Sequence, residues 1–540
     1  MKLYRLFLAA FVGLAFAACS QIDNIAPESG TLLKSQVQEV NLLVPSRAEA
    51  SFTGMFTNFG KPAKMYDAPD DWEFLMILFC NDLEGADAWI ANSNYNWFST
   101  CGEYSSRNPD YRNPAIRYRA PYNMISDVNT FIAGYPEDVS DAHALNMIAQ
   151  AKCLRAYSYM SLASGFQFGY AAGGADKPCV PIVTSDTIDF TQNPRASLAE
   201  VYAVAKADLD WAIEHLDGER TTKGYINQNV AYGLRARLNL ATENWAEAAA
   251  DAEKAAQGFT PATIEEMSHP SFYDINEHNW IWGYDMTTDV AKRSLYATTS
   301  AWLRSFSGDG YAPATQCYTS VADHLYNMIP ATDVRKGWWV DENLESPLLE
   351  GLKWPGFDDV AHADDGGNSK LPYTPYTNVK FGCYKVGTTT NDEDMPLMRV
   401  EEMILIQAEA YAKDGNEAKG REILENFVRT YRDPEYSADG RGLTFANEVW
   451  FQRRVELWGE GFFVPDAVRL NKPIVRYHDP ATSNFPDAFR FNLAADNPWR
   501  LMRFPKGEMN TNFAIVDNTG GQQPVIDEGA GLLDGVTDNF

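Results

Sequence analysis

Glu456 and Glu460 lie one helical turn apart beside Arg453 and Arg454. Two carboxylates within such reach are what acid–base cleavage of a glycosidic bond requires. With 73 acidic residues in the 540-residue chain, however, nominating a carboxylate pair has almost no specificity. Opposite charges at helical spacing read as structural ion pairs. The seven histidines are scattered: His215 ends a helical stretch, His269 and His278 fall in loop sequence, and none has metal-ligand spacing. No nucleotide loop, HExxH, GxSxG or paired CxxC occurs. Asp358-Asp359 and Asp364-Asp365 could offer calcium hard oxygens, but a solvated acidic loop is the simpler reading. No cofactor, no metal and no catalytic residue is therefore expected.

Binding is better supported. Aromatics make up 13% of the chain, including 14 Trp, and many fall in long irregular segments. A sugar ring offers apolar C–H faces, which flat rings cover, and an equator of hydroxyls, which Asn, Asp and Arg answer. Covering about 100 Å² gives roughly 2.5 kcal/mol per stacked ring before the costs of association. Two or three such rings imply weak, reversible capture. The candidates are Trp89, Asn92, Tyr95 and Trp97, where Asn and aromatics interleave, and Tyr296 with Trp302 further on. Trp280, Trp282 and Tyr284 alternate as on a short strand and read as core, as do Trp72, Trp211 and Trp245 on helical stripes. Trp338-Trp339 fits either rim or core.

These side chains need a frame, and the frame is helical. Ser197 and Glu200 form a capping box opening a helix to about residue 216. Val230, Leu234 and Leu238 share one face of the next helix, which breaks at Glu243-Asn244. Asn244 and Glu247 are expected to cap a third, striped by Trp245, Ala248, Ala249, Ala252 and Ala256. The hairpin recurs at 400–413 and 417–429 around Asp414-Gly415-Asn416, and further helices are expected at 71–83 and 142–164. Such tetratricopeptide-like hairpins bury their faces only by stacking, so a mainly α, α-α superhelix with a few short strands is predicted. Between its parts lie segments 84–120, 258–320 and 340–396, rich in Gly, Pro, Asn and aromatics, where function is sought.

At the N-terminus, Lys2 and Arg5 precede an apolar run ending Ala17-Ala18-Cys19, too short to stay in a bilayer. It reads as a lipoprotein signal: 1–18 removed, Cys19 acylated, and two or more acyl chains holding the protein on a membrane. Residues 19–38 read as a tether, 39–257 as an N-terminal helical scaffold, and 258–540 as a loop-rich binding region with a helical hairpin and closing segment. The net charge, 45 minus 73 or −28, argues against nucleic acid. Of the remaining cysteines, Cys153 reads as core, and a Cys80–Cys101 bridge is left undecided.

Several stretches in order resemble the SusD/RagB family of Bacteroidetes lipoproteins over nearly the whole chain. They are Leu154-Arg155-Ala156-Tyr157-Ser158-Tyr159 with Val180-Pro181-Ile182-Val183, the run from Arg399 to Ala410, the run from Phe451 to Gly461 with Asp466 and Arg469, and Phe504 to Asn510. Gln452 stands where the family usually has Glu and Phe463 where it usually has Arg, which implies an altered ion-pair cluster. The resemblance implies an outer-membrane, surface-facing binding protein. It would capture an oligosaccharide and deliver it to a SusC-like TonB-dependent transporter. A RagB-like peptide binder of the same fold, or a surface hydrolase, is the alternative.

Overall fold

A computed structural model describes residues 34–90, 97–306, 318–352, 373–478 and 483–539. Helices α1 (Lys34–Leu43) and α2 (Pro45–Asn58) open it, followed by α3 (Glu73–Leu83) and strand β1 (Ala88–Ile90). Then come α4 (Arg112–Ala133), α5 (Ala142–Phe166), α6 (Leu198–His215), α7 (Gln228–Ala241) and α8 (Trp245–Ala256). Strands β2 (Trp280–Tyr284), β3 (Thr319–Val321) and β4 (Met395–Arg399) are short. Helices α9 (Val400–Lys413), α10 (Glu417–Tyr431), α11 (Phe445–Glu456) and α12 (Phe463–Arg469) follow.

Local signals set most helix ends. Ser197 accepts from the Glu200 amide at 3.2 Å, and the Glu200 carboxylate accepts from the Ser197 amide at 2.8 Å, the reciprocal capping box expected. Asn416 caps α10 through the Lys419 amide. Asn244 does not cap α8: its amide donates to Thr242 Oγ1 at 2.9 Å, satisfying the preceding turn. Ala248, Ala249, Ala252 and Ala255 are buried along α8, letting it approach its neighbours closely.

From α4 onward each helix packs on the next, through α5, α6, α7, α8, α9 and α10, with α11 closing against α9. Helices α8 and α9 are neighbours although residues 257–399 separate them in the chain, so the superhelix runs on across the insertion. Ion pairs between half-buried arginines and buried carboxylates pin the helices together: Arg155–Asp208 (2.7 Å) joins α5 to α6, Arg235–Asp251 (2.8 Å) joins α7 to α8, and Arg237–Glu402 (2.6 Å) joins α7 to α9. Among the described residues no helix is long and apolar enough to cross a membrane.

The strands form two small antiparallel pairs, β1 with β3 and β2 with β4. Trp280, Trp282 and Tyr284 on β2 are buried, as their alternation implied, and Trp338 and Trp339 are core as well. Two expectations fail. Helix α1 begins at Lys34, inside the stretch read as a tether. Segment 84–120 holds the start of α4, whose Pro114 and Pro121 disguise its helical period. Pro114 sits in the first turn, where no amide donor is needed, and Pro121 forfeits one interior bond that packing on α3 and α5 offsets.

The run from Phe451 to Gly461 sits at the heart of a buried charge cluster. Glu456 accepts from Arg335 (3.3 Å), Arg399 (3.1 Å) and Arg432 (2.8 Å), while Glu460 accepts from Lys380 (2.8 Å) and Arg399 (2.9 Å). Burial would raise the Glu456 carboxyl, but the Arg432, Arg399 and Arg335 guanidiniums overcome it and hold it well below the usual range. Gln452 accepts from Arg335 at 2.6 Å and donates to Glu448 at 3.0 Å, so its amide joins a cation to a second carboxylate. Phe463 is buried on α12, its amide donating to Asp82.

Candidate aromatic binding surface

Segment 60–71, between α2 and α3, is the hub of the site. Ala63 and Asp67 within it, and Glu73 just beyond, take left-handed backbone conformations (φ 52°, 50° and 56°), unusual for residues with a Cβ. Such strain persists only where surrounding bonds dictate it. Here the Asp71 carboxylate accepts from the Met65 and Tyr66 amides at 2.6 and 2.5 Å, and the Asp71 carbonyl accepts from the Ala63 amide at 2.6 Å. The loop is thus held in one shape, with Tyr66 half-buried on its rim.

Two distant segments converge on this loop. On one side Trp97, half-buried, has the Arg112 guanidinium 4.8 Å from its ring centre, and Arg112 also lies 5.9 Å from the Tyr66 ring. Arg112 pairs with Asp70 at 3.2 Å, and Arg119 donates to the Tyr66 hydroxyl at 3.0 Å. On the other side Arg293 donates to the Pro62 carbonyl at 3.4 Å, and Tyr296 is 42% exposed. Beneath both, Trp72 and Trp302 donate to the same Pro69 carbonyl (3.0 and 3.3 Å), and Phe98 packs edge-on against both rings at 5.6 and 4.7 Å. A buried aromatic floor therefore carries an outer rim of Trp97, Tyr66 and Tyr296 with guanidinium and carboxylate groups between. Burial pushes the Asp70 carboxyl up to about 6 against the pull of Arg112, so this pair changes charge in mildly acidic conditions.

The residues nominated from sequence divide accordingly. Trp97 and Tyr296 reach the rim. Trp302 is a correction: only 2% exposed, with its Nε1 also donating to the Tyr296 carbonyl at 2.9 Å, it supports the floor and cannot stack on a ligand. Trp89 stays half-buried, but on β1, opposite Ser320 of β3 and packed on Ala322, Phe485 and Phe489, rather than in the open loop expected. Asn92, Tyr95 and Cys19 lie outside the described residues, as do Asp358, Asp359, Asp364 and Asp365. Tyr66, Asp70 and Arg112 escaped the sequence reading, although the Pro62 to Asp71 run carries the Pro and Asp density of a functional turn.

Glu456 and Glu460 are buried and saturated by cations, the pairing of structural ion pairs. Lys380, lowered by burial to about 8, is equally enclosed and donates to Glu460. No group of His, Cys, Asp and Glu suited to a metal ion occurs among the described residues. What this surface can do is present rings and hydrogen-bonding charges together.

Residues 46–240 match the SusD-like family described as starch-binding and associating with the outer membrane, and residues 358–520 match the SusD family proper. The chain belongs to the SusD family. Solved SusD-like structures share its fold. A carbohydrate-binding SusD-like protein from Bacteroides vulgatus is 22% identical, with a TM-score of 0.68, covering 88% of this chain and 98% of its own. Another superfamily member from Bacteroides vulgatus is 16% identical with a TM-score of 0.70, covering 88% and 99%. A laminarin-binding SusD-like protein is 18% identical with a TM-score of 0.61, again covering 88% and 99%. Among curated proteins none matches the chain.

Proposed function

We propose that this SusD-family protein captures an oligosaccharide on the Trp97–Tyr66–Tyr296 rim and delivers it, unaltered, to a SusC-like TonB-dependent transporter. The observation that carries the reading is the rim itself: partly exposed rings from three segments that meet at a strained, over-bonded loop, interleaved with Arg112, Asp70 and Arg119. Rings answer sugar faces and the charged groups answer hydroxyls. A prearranged loop reduces the ordering cost of binding. Acylation at Cys19 would hold the body on the outer membrane, facing the cell surface, with residues 20–33 as the spacer.

The experiment is calorimetry of the purified protein against glucans, other glycans and peptide mixtures, repeated with Trp97→Ala and Tyr296→Ala. Glycan heat that both variants diminish supports the reading, while binding of peptides alone overturns the cargo assignment. Unchanged glycan affinity in both variants would move the site elsewhere. The next candidate is the groove lined by Tyr122, Asn129, Thr184 and Asn193, about 1900 Å³ of open space beside α4.

A further inference from the structure

Cys80 on α3 and Cys101 in the short helix Ser99–Gly102 meet in the interior, their Sγ atoms 3.4 Å apart and the residues 0% and 2% exposed. Their backbones are fastened together without any help from sulfur. The Arg476 guanidinium donates to the Leu83 carbonyl (3.1 Å) and the Gly85 carbonyl (2.8 Å) at the end of α3, and to the Gly102 carbonyl (2.6 Å) beside Cys101. The Tyr104 hydroxyl donates to the Glu84 carbonyl at 2.7 Å. The two thiols are therefore held facing each other by groups that stay in place whichever state the sulfur is in.

The surroundings favour one chemistry for this pair. Asn113 Nδ2 donates to Cys101 Sγ at 3.3 Å, and the Arg117 guanidinium, fixed by Asn113 (3.0 Å), Asn81 (3.1 Å) and Glu84 (3.0 Å), stands beside the thiols. A fixed positive charge here opposes a metal cation, which leaves bonding between the two facing sulfurs as the chemistry open to the pair. Cys153, Cys179 and Cys383 form no hydrogen bond to another thiol among the described residues. A chain exported to the outer membrane folds where thiols oxidise.

We infer that Cys80 and Cys101 form a structural disulfide that staples the Trp97-bearing segment to α3. The oxidant is a disulfide compound, protein-borne or small. One cysteine thiolate attacks it, releasing a first thiol and leaving a mixed disulfide; the second cysteine attacks that, releasing the second thiol. Two protons and two electrons leave the protein, and one oxidant disulfide becomes two thiols. Mutual hydrogen bonding, then burial, raise the Cys101 thiol well above its ordinary range in the folded protein. The bond therefore forms during folding, before the site closes, and is afterwards shielded from reductants. It closes residues 81–100, which include Trp89 and Trp97, into one loop and restricts the unfolded chain.

The full chain, reduced and denatured, is refolded with a glutathione/glutathione disulfide pair, so that the oxidant is supplied whatever the protein's cellular address. It is then denatured in iodoacetamide without reductant. No Lys or Arg lies between Met65 and Arg107, so trypsin leaves both cysteines in one peptide. That peptide is expected to be lighter by two hydrogens and unalkylated, with Cys153 and Cys179 alkylated. Alkylation of both Cys80 and Cys101, or their pairing with other cysteines, overturns the inference. The oxidised protein should also melt a few degrees above the reduced one, and a Cys80→Ala/Cys101→Ala variant should show no such difference. An equal difference in that variant overturns it too. The cross-link is read by mass and melting alone, so its failure and the failure of the glycan reading are separate results.

Discussion

Trp97 and Trp302 look alike as nominations from sequence, yet the fold gives them opposite work. Trp302 is boxed in by Phe98 and two carbonyl acceptors, so Trp302→Ala should cost about 3–5 kcal/mol of stability, read as a lowered melting temperature. Trp97→Ala should leave melting nearly unchanged and weaken glycan binding about tenfold or more, the loss of one stacked ring. Asp70 adds a pH dependence. Its folded-state value near 6 lies above its ordinary 3.8, so the folded protein takes up this proton more readily than the unfolded chain. The stability it contributes is present below pH 3.8 and is lost as pH rises through 6. At neutral pH it is charged and holds Arg112 near Trp97. The Trp97 share of the fluorescence, wild type minus Trp97→Phe, should titrate near pH 6 and become flat in Asp70→Asn; a flat wild-type profile contradicts this. No pattern in the sequence separates the two tryptophans, because exposure is decided by which distant segment lands on each ring.

At the scale of elements, Gln452 on α11 shows why a departure from the family's usual residue can be structural. Its amide accepts from Arg335 and donates to Glu448, which also accepts from Tyr436 and Arg441. A carboxylate there could only accept, and would face the Glu448 carboxylate at about the same 3.0 Å. Gln452→Glu should therefore cost about 1–3 kcal/mol in chemical denaturation, despite a new ion pair with Arg335. A stabilised variant would contradict the adaptor role. Elements with side-chain caps, such as α6 and α10, were legible in the sequence, as was α9 from its apolar positions. Helix α4 was not, because its prolines break the pattern while neighbouring helices supply the packing that keeps it helical. Strands β1 and β3 were not either: each is three residues long and exists only by pairing across the chain.

Over the whole molecule, one superhelix holds together although a long insertion divides its repeats, and the insertion carries one side of the proposed binding rim while segments before it carry the other. Periodicity revealed the stacked hairpins. It could not reveal that Pro62, Pro69, Trp97 and Tyr296 meet, since that convergence depends on the closed tertiary structure. Buried carboxylates set the response to acid. Burial raises Glu73, Asp82 and Glu277 to about 7, so these groups favour the fold as pH falls below 7. Glu456, Glu460 and Asp466 are held low by their arginines against burial, so the stability they contribute is present above about pH 4.5 and is lost as pH falls further. Melting temperature should accordingly peak in mildly acidic buffer and collapse below about pH 4; a maximum above pH 8 would contradict this balance. The protein is proposed to capture its cargo without converting it. The most direct test incubates the wild-type protein and a Trp97→Ala/Tyr296→Ala variant with a glucan oligosaccharide, measuring bound heat and then the recovered sugar by mass. Saturable wild-type heat, its loss in the variant and sugar returned at unchanged mass are predicted, whereas shortened sugar, or equal heat from both proteins, would contradict the account.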